Sequence, residues 1–464
     1  MKRKKFLQTT SAFTLGTILT SPLVGCLNRS GRNPEKPGYS VSKKTGIERR
    51  NWGRNIIFRA EHLEHPSTVQ EVQELMLKAG NKKALGSTHS YNDIADSPMS
   101  QISLRKLNKI ISIEETNKTV TIEGGIKYEE LVPQLYEKGF ALHNLASLPQ
   151  VTVAGACSTG THGSGTKNGN LSTAVRGLEI CLADGQLVKL SRDNNPNIFD
   201  GAVISMGGLG IITSMVLDIQ PAYEARQDIF LDLPLENVIE NFDQIMSSGY
   251  SVSLFTKWQS DIVDQVWIKR RVDQPVDNLG TDFFGGKASD RNIHPIIDLS
   301  AESCTDQMGV AGPWYDRLPH FKINAMPSAW DELQSEYFVP IEHAGQAMRA
   351  IANLGEKILP YLYISEVRTV AADNLWMSQV YKRTSVAFHF TWKSDWPGVK
   401  KLLPELEAAL APFDVRPHWA KLFTINPKTL QKSYKKFPDF LELLKTYDPK
   451  GHFKNAYLDS NIYS

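Results

Sequence analysis

Three glycine-rich segments in the first half of this 464-residue chain constrain its fold more than any other feature. They are Leu85-Gly86-Ser87-Thr88-His89-Ser90, Gly155-Ala156-Cys157-Ser158-Thr159-Gly160-Thr161-His162-Gly163-Ser164-Gly165, and Gly207-Gly208-Leu209-Gly210. Glycine lets backbone N–H groups converge on an anion at close range, and Ser and Thr hydroxyls add donors. One such loop means little. Three in one stretch, two of them with a His, predict a cradle for a phosphate-bearing dinucleotide. A Rossmann unit does not fit. Gly163-Ser164-Gly165-Thr166-Lys167-Asn168-Gly169 has one residue too many for G-x-G-x-x-G and leads into polar, non-helical sequence.

The pattern around these loops is α+β, built of small units. Pro66-Ser67 opens a helical period (Val69, Val72, Leu75, Met76) that stops at Gly80. Ile110–Ile113 and Val120–Glu123 flank a turn and read as a hairpin, and a helix follows over Tyr128–Lys138, ending at Gly139. Leu178–Ala183 and Gln186–Leu190 bracket Asp184-Gly185, a two-residue hairpin signal in which both residues tolerate positive φ. Ile211–Ile219 reads as a buried strand. After Pro221 the texture changes, with strands at Ser253–Phe255 and Gln265–Lys269 and eight of the nine tryptophans. Most of these belong in a core, and the remainder suit a pocket lined with amphipathic rings.

Glu366 and Arg368 stand two apart on an expected strand, so both side chains share a face. A carboxylate and a guanidinium there can hold successive hydroxyls, one accepting and the other donating. The spacing alone equally allows an ion pair on a surface sheet. The glycine segments, with Asn144-Leu145-Ala146-Ser147-Leu148-Pro149, Glu366–Asp373 and His418-Trp419-Ala420-Lys421, resemble the vanillyl-alcohol-oxidase type (PCMH-type) FAD-binding flavoproteins. Within them the match, from about Asn51 to Asn455, is to the alditol (xylitol) oxidase branch, with aldonolactone oxidases as more distant relatives.

The resemblance implies a two-domain fold: a FAD-binding domain over 46–222 and a substrate (cap) domain with a mixed or antiparallel sheet over 223–420. A C-terminal segment, 421–464, would return to the FAD domain. It implies FAD bound covalently through His89, with Thr88 standing where glycine is usual. Gly86, Ser87, Thr88, Ser90, Ser147, Thr152, Gly155, Thr159, Gly160, Thr161, His162, Ile212 and His418 would contact the cofactor, His162 as a structural or pyrophosphate-side donor. Ser147, Glu366, Arg368, Thr391 and Lys421 would hold the substrate, with Arg368, Lys421 and Glu366 catalytic. The implied reaction is oxidation of a terminal CH–OH of a polyol to the aldehyde by hydride transfer to flavin N5. Dioxygen or a membrane electron acceptor would then reoxidise the flavin. An aldonolactone is the alternative substrate.

Composition enters as exclusion. Lys+Arg 52 against Asp+Glu 50 gives no electrostatic reason to expect nucleic acid as partner. Cys157, Cys181 and Cys304 form no disulfide framework and show no metal-ligand spacing, so no metal is expected. The N-terminus reads as an export signal over residues 1–26: Lys2-Arg3-Lys4-Lys5, then an apolar stretch from Ala12 to Val24 too short to span a membrane. Arg3-Lys4-Lys5-Phe6-Leu7 resembles a twin-arginine signal. Leu23-Val24-Gly25-Cys26 resembles a lipobox, with Cys26 the lipidated residue and 27–45 a tether. The expected molecule is a monomer held to the cell envelope by its lipid.

Overall fold

The structure is a computed structural model that describes residues 48–259, 261–275, 278–325 and 331–464. The basic start, Cys26, the tether and Trp330 lie outside the described residues.

Among the described residues the first half holds two small sheets and a two-stranded pair, Phe140–Ala141 with Gln220–Pro221. β1 (His62–Glu64), β2 (Lys82–Ala84) and β3 (Ser100–Ile102) are parallel, in the order β1-β3-β2. Parallel strands need a crossover, and helix α1 (Val69–Leu77) supplies it. The helix begins where Thr68 Oγ1 accepts the Glu71 N–H and the Glu71 carboxylate accepts from the Ser67 N–H. β4 (Ile110–Glu114), β5 (Thr119–Glu123), β6 (Val175–Cys181), β7 (Leu187–Ser191) and β8 (Ile211–Asp218) form an antiparallel sheet ordered β4-β5-β8-β6-β7. Helix α2 (Tyr128–Glu137) ends at Lys138, with Gly139 following at φ 80°.

Both expected hairpins form, but the β6–β7 turn is not a two-residue one. The Leu182 N–H donates to Gln186 O, which leaves three loop residues, and only Gly185 has positive φ (81°). The Asp184 side chain instead accepts the Gln186 N–H at 3.0 Å. That local bond suits an ordinary backbone conformation.

The second half is organised by one ten-stranded sheet. Its principal strands are β9 (Glu224–Pro234), β10 (Ser251–Thr256), β11 (Ile262–Arg271), β12 (Glu332–Pro340), β13 (Leu362–Val370) and β14 (Ser385–Lys393). They run in the order β9-β11-β10-β13-β14-β12, antiparallel throughout. Period-two alternation gives each strand two unlike faces. One face carries Leu254, Val266, Tyr337, Val367 and Phe388, packed with Met348 and Leu403 of helices Ala344–Ala352 and Trp396–Leu410. The other carries Lys269, Glu336, Glu366, Arg368 and His389, and it too is buried, because it faces the first half. An antiparallel sheet usually gives its polar face to water. Here charge is buried instead, and each group needs a partner.

Candidate active site

A cavity of about 600 Å³ lies between that polar face and the loops of the first half. The three glycine segments converge on it: Gly86–Ser90, much of Gly155–His162, and Gly207 with Gly210–Ile212. In the first loop none of the five backbone N–H groups from Gly86 to Ser90 donates to a protein acceptor among the described residues. The loop is pinned from outside instead. The Trp52 N–H bonds Thr88 O at 2.8 Å, Asn51 Nδ2 bonds Ser90 O at 2.8 Å, and the Thr152 N–H bonds Ser87 Oγ at 3.2 Å. Thr88 sits at φ 61°, the left-handed conformation that a glycine would take freely. A β-branched residue there costs on the order of 1–2 kcal/mol.

In the third loop the buried Lys83 ties the chain down. Its Nζ bonds Met206 O at 3.0 Å, Gly207 O at 3.1 Å and Phe453 O at 3.3 Å, and burial lowers the ammonium to about 7. Gly124 and Gly125 also line the cavity. A Cβ on Gly124 would lie 2.0 Å from Ile212 O, and one on Gly125 would lie 1.9 Å from Leu104 O.

Some glycines of the cradle do other work. Gly160 lies outside the cavity lining, and its Cβ position is filled by the Gln379 amide. Gly163 packs on Asn144 and Leu145, and the Gly165 N–H bonds Thr369 O at 2.9 Å, so this end of the loop holds the large sheet. Gly208 packs on Leu444. Of the two roles expected of His162, structural or pyrophosphate-side donor, its bonds are those of the structural one. Its Nδ1 faces Gly163 O at 2.7 Å and its Nε2 faces Glu336 Oε1 at 3.0 Å, so both ring nitrogens are spent within the protein.

Opposite the loops, cross-strand register assembles the polar wall. Glu336 pairs with His389, His389 with Glu366, and Gln334 with Thr391, on neighbouring strands β12, β14 and β13. Arg368 Nη2 donates to Glu336 Oε1 at 2.7 Å, and Arg368 Nη1 lies 3.4 Å from Ser147 Oγ. His320 Nε2 meets Glu366 Oε1 at 2.7 Å. Burial by itself would raise both carboxyl groups. Around Glu336 the neighbours His162, Arg368 and His389 outweigh it, and around Glu366 the Arg368 guanidinium and the His320 hydrogen bond do, so both stay well below the usual carboxylate range. Ser147, Thr152, Gly155, Thr159, Thr161, Ile212, Thr391 and His418 all line the same cavity.

Lys421 and His89 bring the two sides together. The segment after Pro417 docks on the first loop: the Tyr91 N–H donates to Ala420 O at 2.8 Å, and Asn92 Nδ2 donates to Trp419 O and Lys421 O, both at 2.8 Å. Lys421 Nζ then reaches Gln334 Oε1 and stands 4.9 Å over the Tyr91 ring. Burial lowers its ammonium to about 8, although Glu336 and Glu332 oppose the shift. His89 lies between Trp52 and Tyr91, with ring centroids at 5.3 and 5.7 Å. Burial, with Lys421 adding to it, brings its imidazole to about 3. A neutral ring keeps a lone pair, which is what a nucleophile or hydrogen-bond acceptor requires.

Glu336, Gln334, His389, His320, Lys269 and the pair Gly124-Gly125 were not singled out from sequence. Glu332-Leu333-Gln334-Ser335-Glu336 has the same alternation as Glu366-Val367-Arg368, and that signal could have found it. The tryptophans are mainly core, as expected of most of them: Trp267, Trp314, Trp392 and Trp419 are fully buried, and among the described tryptophans only Trp52 lines the cavity. Cys157, Cys181 and Cys304 are free and buried, in keeping with the packing role expected of them. No metal-ligating cluster occurs among the described residues.

A model described as a FAD binding domain matches residues 60–191, and one described as D-arabinono-1,4-lactone oxidase matches residues 319–461. The chain is 40% identical over 411 residues to an alditol oxidase of Streptomyces sp., covering 88% of this chain and 97% of that protein. It is 26% identical to the L-gulonolactone oxidase of Mus musculus, over 90% and 99% of the two chains. A crystal structure of cholesterol oxidase from B. sterolicum superposes with a TM-score of 0.72 at 16% identity, over 89% of this chain and 96% of that one. The residues present fit FAD. The five unpaired amides of Gly86–Ser90 suit an anionic phosphate, and the cavity volume is that of a ligand site.

Proposed function

The chain belongs to the alditol oxidase family of FAD-dependent oxidases, and from that premise we propose that it oxidises a terminal CH–OH of a polyol of the xylitol or sorbitol type to the aldehyde. FAD, when bound, supplies the two-electron acceptor. One observation carries the reading: the buried Glu366 and Arg368 and the half-buried Lys421 converge on a cavity whose opposite wall is the free-amide loop that carries His89. Arg368 and Lys421 hold the reacting hydroxyl; the guanidinium, joined by Lys421 once it has taken the proton, favours the developing alkoxide. The neutral form of Lys421 can take the hydroxyl proton, since its amine titrates near 8. Ser147 and Glu366 hold neighbouring hydroxyls, so a simple alkanol leaves buried polar groups unpaired and is disfavoured.

The purified protein should be yellow and should form hydrogen peroxide with xylitol. A colourless protein, or one that turns over only an aldonolactone, rejects the proposal. The aldonolactone reading is supported by the match at residues 319–461. Gulono- or galactonolactone assayed beside xylitol therefore decides between them. Dioxygen is the acceptor proposed; a membrane acceptor is the alternative for an enzyme held at the envelope.

Covalent attachment through His89 is part of the same proposal, supported by its neutral, cavity-facing ring. Acid precipitation should leave the colour in the pellet, and His89→Ala should release it to the supernatant. Export and lipidation at Cys26 rest on the basic start and the Leu23-Val24-Gly25-Cys26 segment. FAD is made in the cytoplasm, so a flavoprotein that is exported should cross folded, as the twin-arginine route allows. Labelled palmitate lost on Cys26→Ala, and export lost in a strain lacking the twin-arginine translocase, are the expected results.

A further inference from the structure

From Glu366 and His320, which line the cavity, a chain of bonds runs inward to Lys269, which the proposed chemistry does not use. Lys269 sits on β11, on the cavity side of the large sheet, and is 1% exposed. Its Nζ has three acceptors: Leu318 O at 2.5 Å, Pro319 O at 2.9 Å and His320 Nδ1 at 3.2 Å. An ammonium has three protons and no lone pair, so the set matches it donor for acceptor. A Nδ1 that accepts fixes the tautomer and leaves the ring proton on Nε2. That nitrogen lies 2.7 Å from Glu366 Oε1, to which it donates. The rings of Phe255 and Trp267 hold the imidazole in place, with centroids at 5.4 and 5.3 Å.

The charged and titratable groups facing His320 are Lys269 from β11 and Glu366 and Arg368 from β13, with Cys304 beside Lys269. Burial and then Lys269 disfavour a second proton on the ring more than Glu366 favours one, so the imidazole titrates at about 4. It stays neutral at ordinary pH. Glu366 Oε2 takes no hydrogen bond from a protein group among the described residues. Arg368 Nε, 3.5 Å from Glu366 Oε1, is buried and makes no hydrogen bond among the described residues. Without the His320 donor at Oε1, only that guanidinium N–H would be left to fix the orientation of the carboxylate.

We propose that Lys269 and His320 form a positioning relay that clamps Glu366 Oε1 and so presents Oε2 to a substrate hydroxyl. For the substrate's identity this rests on the polyol reading and deepens it. Recognition of the polyol then depends on a lysine that acts through His320 and Glu366, one strand removed from the carboxylate it orients.

The test uses the holoprotein with xylitol as probe. Losing a hydrogen bond to a charged group is worth about tenfold in binding. Lys269→Met is therefore expected to raise KM about tenfold with little change in kcat, and Lys269→Arg to restore most of it. In a Glu366→Ala background, Lys269→Met should add no further loss, because the relay acts only through that carboxylate. Losses that multiply, or a KM left at the wild-type value, overturn the relay. A readout free of substrate separates it from the polyol reading. By NMR of isotope-labelled histidine, His320 should stay neutral in the wild type down to about pH 5, and Lys269→Met should shift its titration upward. An unmoved titration overturns the relay whatever the substrate proves to be. Should Lys269→Met not accumulate as folded flavoprotein, His320→Gln and His320→Phe replace it. Gln keeps an N–H for Glu366 and should spare KM, whereas Phe should raise it about tenfold; equal effects overturn the proposal.

Discussion

At the scale of single residues, the site is a set of buried charges that hold one another in place. Glu336 is the hub: Arg368 and His162 both bond its Oε1, and His389 Nδ1 stands 3.6 Å from its Oε2. Breaking a buried pair from one side leaves the other charge uncompensated, which costs about 3–5 kcal/mol. Glu336→Gln should lower stability by that order in a denaturant titration and raise KM for the polyol, since Arg368 loses its anchor. Thr88 makes the opposite case. Thr88→Gly removes a left-handed β-branched residue, and after the entropy that glycine adds to the unfolded chain it should stabilise the protein by roughly 0.5–1 kcal/mol. An unchanged melting temperature would show that the strain is absent. Lys421 supplies a pH signature. Its ammonium is lowered from 10.5 to about 8, so between those values the folded state holds fewer protons than the unfolded one. Its contribution to stability therefore rises over that window. The rate constant kcat/KM should rise as pH passes through about 8 and lose that limb in Lys421→Met, which a pH profile of both proteins checks.

At the scale of elements, the glycine loops and the strand alternation were legible for different reasons. A loop that must approach another backbone excludes every side chain, so glycine marks it directly. Gly125 went unmarked in the sequence, yet the same sterics are sharpest there, because a Cβ would meet Leu104 O at 1.9 Å, a backbone atom that cannot step aside. Gly125→Ala should cost more than about 3 kcal/mol and lose bound flavin, read from the melting temperature and the absorbance of purified protein. Alternation on a strand shows which residues share a face but not whether that face is wet. Glu366 and Arg368 could be paired from their spacing, while Glu336 and Gln334, on a strand with the same pattern, went unmarked. Register explains their importance: β12 and β13 both flank β14, and only that order sets Glu336 and Glu366 on either side of His389. The Asp184-Gly185 turn shows the limit of dipeptide signals. An Asp side chain that bonds locally can turn a two-residue loop into a three-residue one.

At the scale of the whole molecule, the chain's last segment closes what its first half begins. Asn455 Nδ2 bonds Asp93 O, Ile94 O and Asp96 O, and its Oδ1 accepts the Leu458 N–H. Phe453 O receives the Lys83 ammonium that also holds the third glycine loop. Asn455→Ala leaves these buried carbonyls short of a donor and should cost about 2–4 kcal/mol, with loosened flavin binding as the companion measurement. By itself the sequence determined what is local: helix and strand periods, the glycines a cradle requires, the Glu366–Arg368 spacing, and the motifs that mark the family. Those follow from sterics and periodicity within a few residues of one another. Only the tertiary structure decided which polar faces are buried and which charges meet. Lys269 lies 51 residues from His320, which lies 46 from Glu366, and Glu336 lies 174 from His162. No local preference encodes those pairings; they exist because a sheet with a charged face was closed against a glycine-rich half, and buried charges must find partners there.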